Sequence, residues 1–384
     1  MPKKYFASFP SGFEAPVGRV MAGRGLDAIS LMGGAAAFFA DDPLKAALPC
    51  FANVFEIISE AEFSPDGLSG PAQKLRTLNK FADRTAENIN RAVLNDALAF
   101  DGPDPLKNTF RLMASVENQP AAIDRQIKSR IERAISLQTG MEPFRDGGGF
   151  EYLLLLRSEG RAYFLKRITY PRADAKPRRG ELRPELCYLL NEISNPKPND
   201  VFLDPFCGYG SIPDARMKHF PCRCVYAFDL DASKADAARL SLTAARERII
   251  RSECGLANSG LPANQTASPR FRASGNDARF ECAAADFFAL PSKFPAGFFD
   301  RIVTDPPWGV YAGLGDTDNF YGRLVEILLH LAAPGSTIVV LTSQKELFSE
   351  VLSRPRNAAA LVLTERQDIL VNGKKAGAFA LSKP

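Results

Sequence analysis

Apolar and polar positions divide the chain into three regimes. Up to about residue 65, "KKYFASFP" alternates as a strand does, and "PVGRVMAGRG" reads as a helix ending at Gly23–Gly25. "AAAFFAD" and "NVFEIISEAE" are further strands, so this stretch predicts a small α+β unit. From 66 to 170, "GPAQKLRTLNKFADRTAENINRAVLNDAL" carries its apolar residues at helical spacing. "NTFRLMASVEN" reads as a strand and "AIDRQIKSRIERAISLQTG" as a basic helix stopped by Gly140. "GFEYLLLLRSEGRAYFLKRITY" reads as a hairpin turning at Gly160, which has no Cβ to oppose the positive φ of a tight turn. The aperiodic, Pro- and Arg-rich 171–183 is a linker.

From 184 to 384 the period switches back and forth. The strands "VFLDPF", "CVYAFDLD", "RFECAAAD", "FDRIVTD" and "STIVVLTS" are interleaved with the helices "SIPDARMKHF", "SKADAARLSLTAARERIIRS" and "NFYGRLVEILLHLA". Repeated βα units predict an α/β, doubly wound, mostly parallel sheet with helices on both faces. A closing hairpin turns at Asn372–Gly373. The polar stretch 252–278 is expected to be a long loop.

Composition narrows the possibilities. With 384 residues, two or three domains are expected, and 46% hydrophobic with 24% charged residues is a soluble, globular balance. No apolar run approaches membrane-spanning length, and no extended apolar segment follows the N-terminal lysines, so neither a membrane partner nor a signal peptide is expected. Seven scattered cysteines fit a reducing, cytoplasmic compartment. Only His219 and His330 are present, which weakens Ser-His, Cys-His and His-metal chemistry together; no metal is expected, and a monomer is favoured. The net charge of +4 is uneven: 107–183 holds 16 Lys/Arg against 9 Asp/Glu. Such a segment is a candidate for phosphate contact, although a solvated basic surface gives the same count.

The candidate chemistry sits at the strand ends, where doubly wound sheets bind ligands. "DPFCGYG" places Asp204 before Gly208 and Gly210, which let the backbone approach a ligand closely. The third glycine of a pyrophosphate loop is missing, and an acid suits a ligand with a positive amino group better than a phosphate. Asp229 ends the second strand, about twenty residues after Gly208, where an acid can accept ribose hydroxyls. Asp286 ends the third and can accept from an adenine amino group. Taken singly, each is a loop acid or a cap. Taken together they describe S-adenosylmethionine better than a dinucleotide. "TDPPWG", 304–309, then puts Asp305, Pro306, Pro307 and the lone Trp308 at the fourth strand end. Asp305 and the Pro306 carbonyl can accept the two N–H bonds of an amino group and free its lone pair, the prolines fix the loop, and Trp308 offers a face for a base.

"DPFCGYGS", "FDLD" and "DPPWG", in this order, resemble class I methyltransferases acting on exocyclic amino nitrogens of nucleic acid bases. "RRGELRPELCYLL" resembles the segment before the first motif in RNA guanine-N2 methyltransferases, and 66–170 resembles a THUMP RNA-binding domain after a ferredoxin-like unit at 1–65. The resemblance implies a seven-stranded Rossmann-like domain at 184–384. It implies S-adenosylmethionine held by Asp204, Phe206, Gly208, Gly210, Asp229, Leu230, Asp286 and Phe287. The implied substrate is a guanine in structured RNA, tRNA first and rRNA next. Basic residues that can meet it are Arg111, Arg125, Lys128, Arg161, Lys166, Arg167, Arg178 and Arg179. Tyr209 and Trp308 depart from the family's commoner residues, and Tyr209 can narrow the cofactor site. Adenine-N6 methylation stays open. N5-glutamine methylation fits less well, because that family favours Asn where Asp305 stands. A non-catalytic RNA-binding protein is the reading from another class.

Overall fold

The computed structural model describes residues 2–89, 108–144, 149–169, 178, 180–258, 279–309, 316–371 and 373–384, with the backbone alone for 250–258. Contacts gather into two units. One comprises Met1–Ser8, Met21–Leu31 and Ala35–Ala173; the other comprises Phe9–Val20, Met32–Gly34 and Asp174–Pro384.

In the first unit, β1 (Lys3–Ser8), β2 (Ala28–Met32), β3 (Ala35–Ala40) and β4 (Asn53–Glu62) come from the N-terminal stretch. The rest come from β5 (Thr109–Val116), β6 (Gln119–Pro120), β7 (Glu142–Pro143), β8 (Phe150–Leu156) and β9 (Arg161–Arg167). They form one nine-stranded sheet in the order β2-β3-β1-β4-β9-β8-β5-β6, with β7 beside β5. The stretches 1–65 and 66–170 are therefore continuous through the antiparallel pair β4–β9, in register Phe55↔Arg167 to Glu62↔Arg161. The helices Pro71–Asn88 and Arg125–Thr139 bury Leu78, Phe81, Ile131 and Ile135 against Phe110, Tyr152, Leu154 and Phe164 of the sheet. Each such side chain contributes about 1.5–3 kcal/mol when fully buried. Asp124 caps the second helix by accepting from Gln126 N at 2.8 Å, and Gly140, φ +73°, ends it as its sequence predicts. The sequence-predicted helix from 70 to 98 is seen to Asn88; its remainder lies outside the described residues. Strand β2 is an addition to the sequence reading: it is short, and none of its residues is buried.

The second unit holds β10 (Val201–Asp204), β11 (Cys224–Asp229), β12 (Arg279–Ala284), β13 (Phe299–Thr304), β14 (Ala332–Thr342), β15 (Val362–Val371) and β16 (Lys374–Ser382). Their order is β12-β11-β10-β13-β14-β16-β15, parallel through β14, with β16 antiparallel to both its neighbours. All four β10 residues are buried, and Ile302, Ile338, Val340, Leu324, Leu328 and Phe379 share one core. Strands covered on both faces read as continuous apolar runs, so the alternation was legible. The chain runs outward in opposite directions from β10 and β13, and the switch point between them is where such sheets leave a crevice.

Two expectations are corrected. The helix Ala232–Asn258 continues through 252–258, where the sequence predicts a loop; Gly260 and Pro262, the strong breakers, come only afterwards. The helices Lys345–Ser353 and Pro355–Ala360 lie where no element was foreseen. Gly373 at the final hairpin has φ +80°; Asn372, its expected partner in the turn, lies outside the described residues, as do 259–278 and most of 171–183.

Candidate active site

Strand β10 delivers Asp204 into the interior, fully buried. Its Oδ1 accepts from Phe206 N at 3.2 Å and from the Thr304 hydroxyl of β13 at 2.9 Å, which ties the ends of the two switch-point strands together. Its Oδ2 is buried without a partner. Burial, aided by Asp305 and Asp229, pushes the carboxyl well above the usual carboxylate range. Asp204 thus lies beneath the loop and organises it.

The loop turns back over β11: Cys207 N donates to Phe228 O at 2.8 Å, and Gly208 N to Asp229 Oδ2 at 2.9 Å. The two glycines do different work. Gly208, φ +54°, has open space where a Cβ would stand, whereas a Cβ on Gly210, φ +89°, would meet Ala238 Cβ at 3.0 Å. The first lets a ligand reach the backbone; the second lets the next two helices pack. Asp229 Oδ1 accepts from Asp231 N at 2.9 Å, so each carboxylate oxygen holds one backbone N–H and retains a lone pair. Leu230 beside it is 76% exposed. Asp286 caps a short 3-10 turn, accepting from Phe288 N at 2.9 Å, and is itself exposed. Phe287 is buried, its ring 4.8 Å from that of Phe206. Tyr209 carries the Arg178 guanidinium over its ring at 4.6 Å.

Asp305 follows β13, half-buried, with Pro306 buried and Pro307 exposed. Asp305 Oδ1 accepts from the Trp308 indole N–H at 2.8 Å; the same N–H reaches Leu341 O at 3.3 Å. Burial raises the Asp305 carboxyl to about 7, with the indole hydrogen bond acting against it. The polar edge of Trp308 thus grips the candidate acceptor. The backbone that carries the indole is held in turn by groups the sequence did not single out. Gln344 Nε2 donates to Trp308 O at 2.9 Å, and the Tyr321 hydroxyl donates to Pro307 O at 3.4 Å.

Several of the basic residues expected to meet RNA are paired with acids. Arg111 Nη2 and Arg167 Nη1 share Glu151, at 2.7 and 2.5 Å, so each is partly neutralised. Arg161 pairs with Glu62 at 3.0 Å and Lys128 with Glu132 at 3.7 Å. Arg125 is exposed at the start of its helix. Lys166 is a correction: it is 4% exposed, because β9 is covered on both faces, and its ammonium sits 4.7 Å from the centre of the Phe150 ring. Burial lowers it to about 8, which makes it a packed side chain rather than a surface cation. Arg178 belongs to the second unit, and Arg179 lies outside the described residues. Arg76, Lys80 and Arg84, all exposed, are further basic candidates that the sequence reading does not include. Their i, i+4, i+8 spacing was the available signal, aligning them about 6 Å apart along one helix face.

Among the described residues, no group of three or more His, Cys, Asp or Glu is placed to hold a metal ion, and no helix is long and apolar enough to cross a membrane. None of the six described cysteines is in a disulfide.

Comparison with known proteins adds the following. The family profile described as UPF0020: RMKL-like, methyltransferase domain matches residues 172–364. The chain is 31% identical over 176 residues to the tRNA (guanine(6)-N2)-methyltransferase of Thermus thermophilus, a stretch covering 45% of this chain and 43% of that protein. The aligned stretch thus spans less than half the length of that relative. The crystal structure of TrmN from Thermus thermophilus matches with a TM-score of 0.66 at 22% identity, covering 99% of both chains. That of SMU.472 complexed with SAH matches with a TM-score of 0.61 at 13% identity, covering 99% of this chain and 97% of that one. Likeness at these identities establishes a shared α/β fold.

Proposed function

The chain belongs to the RMKL-like methyltransferase family, and from that membership we propose its reaction: transfer of a methyl group from S-adenosylmethionine to the exocyclic N2 of a guanine in structured RNA, most directly a tRNA. The observation that carries the reading is the hydrogen bond from Thr304 to Asp204, which places the glycine loop and the Asp305–Trp308 loop side by side at the switch point. The guanine and the tRNA rest on the Thermus thermophilus relative, whose name specifies both.

The residues present fit the cofactor. The unpartnered Oδ2 of Asp204 is an acceptor that an amino acid's ammonium group would satisfy, and the open position at Gly208 leaves room for a ligand against the backbone. Asp229 retains lone pairs for ribose hydroxyls, and exposed Leu230 and Asp286 would flank an adenine. S-adenosylmethionine, when bound, supplies a methyl group on a positively charged sulfur. Asp305 and the Pro306 carbonyl then accept the two N–H bonds of the base amino group, drawing its lone pair out of the ring and toward the methyl. With its carboxyl raised to about 7, Asp305 is also suited to take the proton the methylated nitrogen must lose.

Calorimetric titration with S-adenosylmethionine, run beside a methylation assay, tests this assignment. Asp305→Ala should bind the cofactor within about 3-fold of the wild type while losing methyl transfer by about 100-fold or more. Parallel loss of both would remove Asp305 from the acceptor role, and absence of cofactor binding by the wild type would sink the reading.

A further inference from the structure

The Asp305–Trp308 loop is held from behind by a chain of hydrogen bonds from two other elements. Tyr321, on the helix Thr317–Leu331, and Thr342, the last residue of β14, are both fully buried. Gln344 follows two residues later. The Gln344 N–H donates to Thr342 Oγ1 at 3.0 Å, and Thr342 Oγ1 lies 2.6 Å from the Tyr321 hydroxyl. One direction satisfies every group: Thr342 donates to Tyr321, and Tyr321 donates to the Pro307 carbonyl at 3.4 Å. From the other side, the Gln344 side-chain amide holds the Trp308 carbonyl at 2.9 Å. The backbone carbonyls on both sides of Trp308 are thereby fixed. The indole N–H between them is aimed at Asp305 Oδ1, 2.8 Å away, and that is the one hydrogen bond given to the Asp305 side chain among the described residues.

We infer that Tyr321, Thr342 and Gln344 are positioning residues that act through Trp308, clamping its indole onto one oxygen of Asp305 so that the other is presented, ionised, to the base amino group. The inference deepens the proposed reaction and rests on it for its catalytic meaning. Its structural content stands separately. A hydrogen bond to the charged form of a buried acid favours that form, so loosening the indole disfavours the carboxylate. The titratable groups near Asp305 are Asp204, Cys187 and Tyr321, all pushed upward by burial, Tyr321 to about 12. No cation is among them, so the indole is the group that opposes burial at Asp305.

The chain contains a single tryptophan, so its emission reports on Trp308 alone. In the full-length protein, emission followed from pH 5 to 9 should show one transition near the Asp305 value of about 7. Tyr321→Phe and Gln344→Met keep size and remove one hydrogen-bonding group each. Each should raise the midpoint by about 1 unit, the equivalent of one charge-assisted hydrogen bond weakened. In methylation assays kcat should fall about 10- to 100-fold, with its ascending pH limb displaced upward by the same amount and cofactor affinity within about 3-fold. A structural role alone would lower the folded fraction without moving either midpoint. Unchanged emission midpoints in both variants, or no transition in the wild type, overturn the clamp whatever the activity. If the wild type methylates no RNA, the proposed reaction falls while the emission midpoints still decide the clamp.

Discussion

Replacing Asp305 by Asn should stabilise the protein above neutral pH. Burial raises this carboxyl from 3.8 to about 7. At 1.36 kcal/mol per unit, the fully charged folded state carries about 4 kcal/mol of strain. Asp305 is only half-buried, so solvent screening reduces that to about 2 kcal/mol. The folded pKa lies above the unfolded one, so the folded state binds the proton more tightly. Stability is then full below pH 3.8 and is lost as pH rises through about 7. Asparagine has no proton to lose and keeps an oxygen for the Trp308 N–H. For a unit of this size about 2 kcal/mol corresponds to a Tm higher by roughly 4–8 °C. Thermal melts of both proteins from pH 5 to 8 should show that advantage at pH 8, with the gap narrower at pH 5. A gap of constant size, or a variant no more stable at pH 8, would refute a strained acid at this position. The variant should also be inactive, since strain of this kind is held at functional sites at the expense of stability.

The two loop glycines should separate. Gly208→Ala has no clash and only the strain of φ +54°, so Tm should fall by a few degrees at most while cofactor affinity, read by calorimetry, falls at least about 10-fold. Gly210→Ala drives a methyl into Ala238 and should instead cost about 1–3 kcal/mol of stability in denaturant melts. For RNA, the combined change Arg76→Gln, Lys80→Gln and Arg84→Gln should weaken tRNA binding. In filter-binding titrations over a range of salt it should lower the slope of log K against log salt by about 2–3. An unchanged slope would exclude that helix face as a phosphate contact, whereas Lys166→Met, at a buried position, should leave the slope unaltered and act on stability alone.

What was legible in the sequence was whatever depends on neighbouring residues. Runs such as Val201–Leu203 and Ile338–Leu341 announce strands buried on both faces, and the acids and glycines that end them mark the ligand edge. Asp204, Gly208, Asp229 and Asp305 were accordingly visible as a set. What was hidden depends on partners far along the chain. Alternation in β4 says which residues face the core, but not that β9, about a hundred residues on, will pair with it and fuse two stretches into one sheet. Lys166 reads as a surface cation until both faces of β9 are seen to be covered. Trp308 reads as a stacking surface until Leu341, Thr342 and Gln344 are brought beside it by β14, and Tyr321 by the preceding helix. The glycine loop's division of labour was equally hidden, because it turns on Ala238 of a helix that packs against it.

Transfer of a methyl group to guanine N2 can be read directly in the product nucleoside. Purified protein is incubated with methyl-labelled S-adenosylmethionine and tRNA from a strain deleted for this gene, and the digested nucleosides are resolved by mass spectrometry. The wild type should yield labelled N2-methylguanosine and Asp305→Ala none. Label in N6-methyladenosine instead, label on protein glutamine, or no labelled nucleoside while the cofactor binds would contradict it.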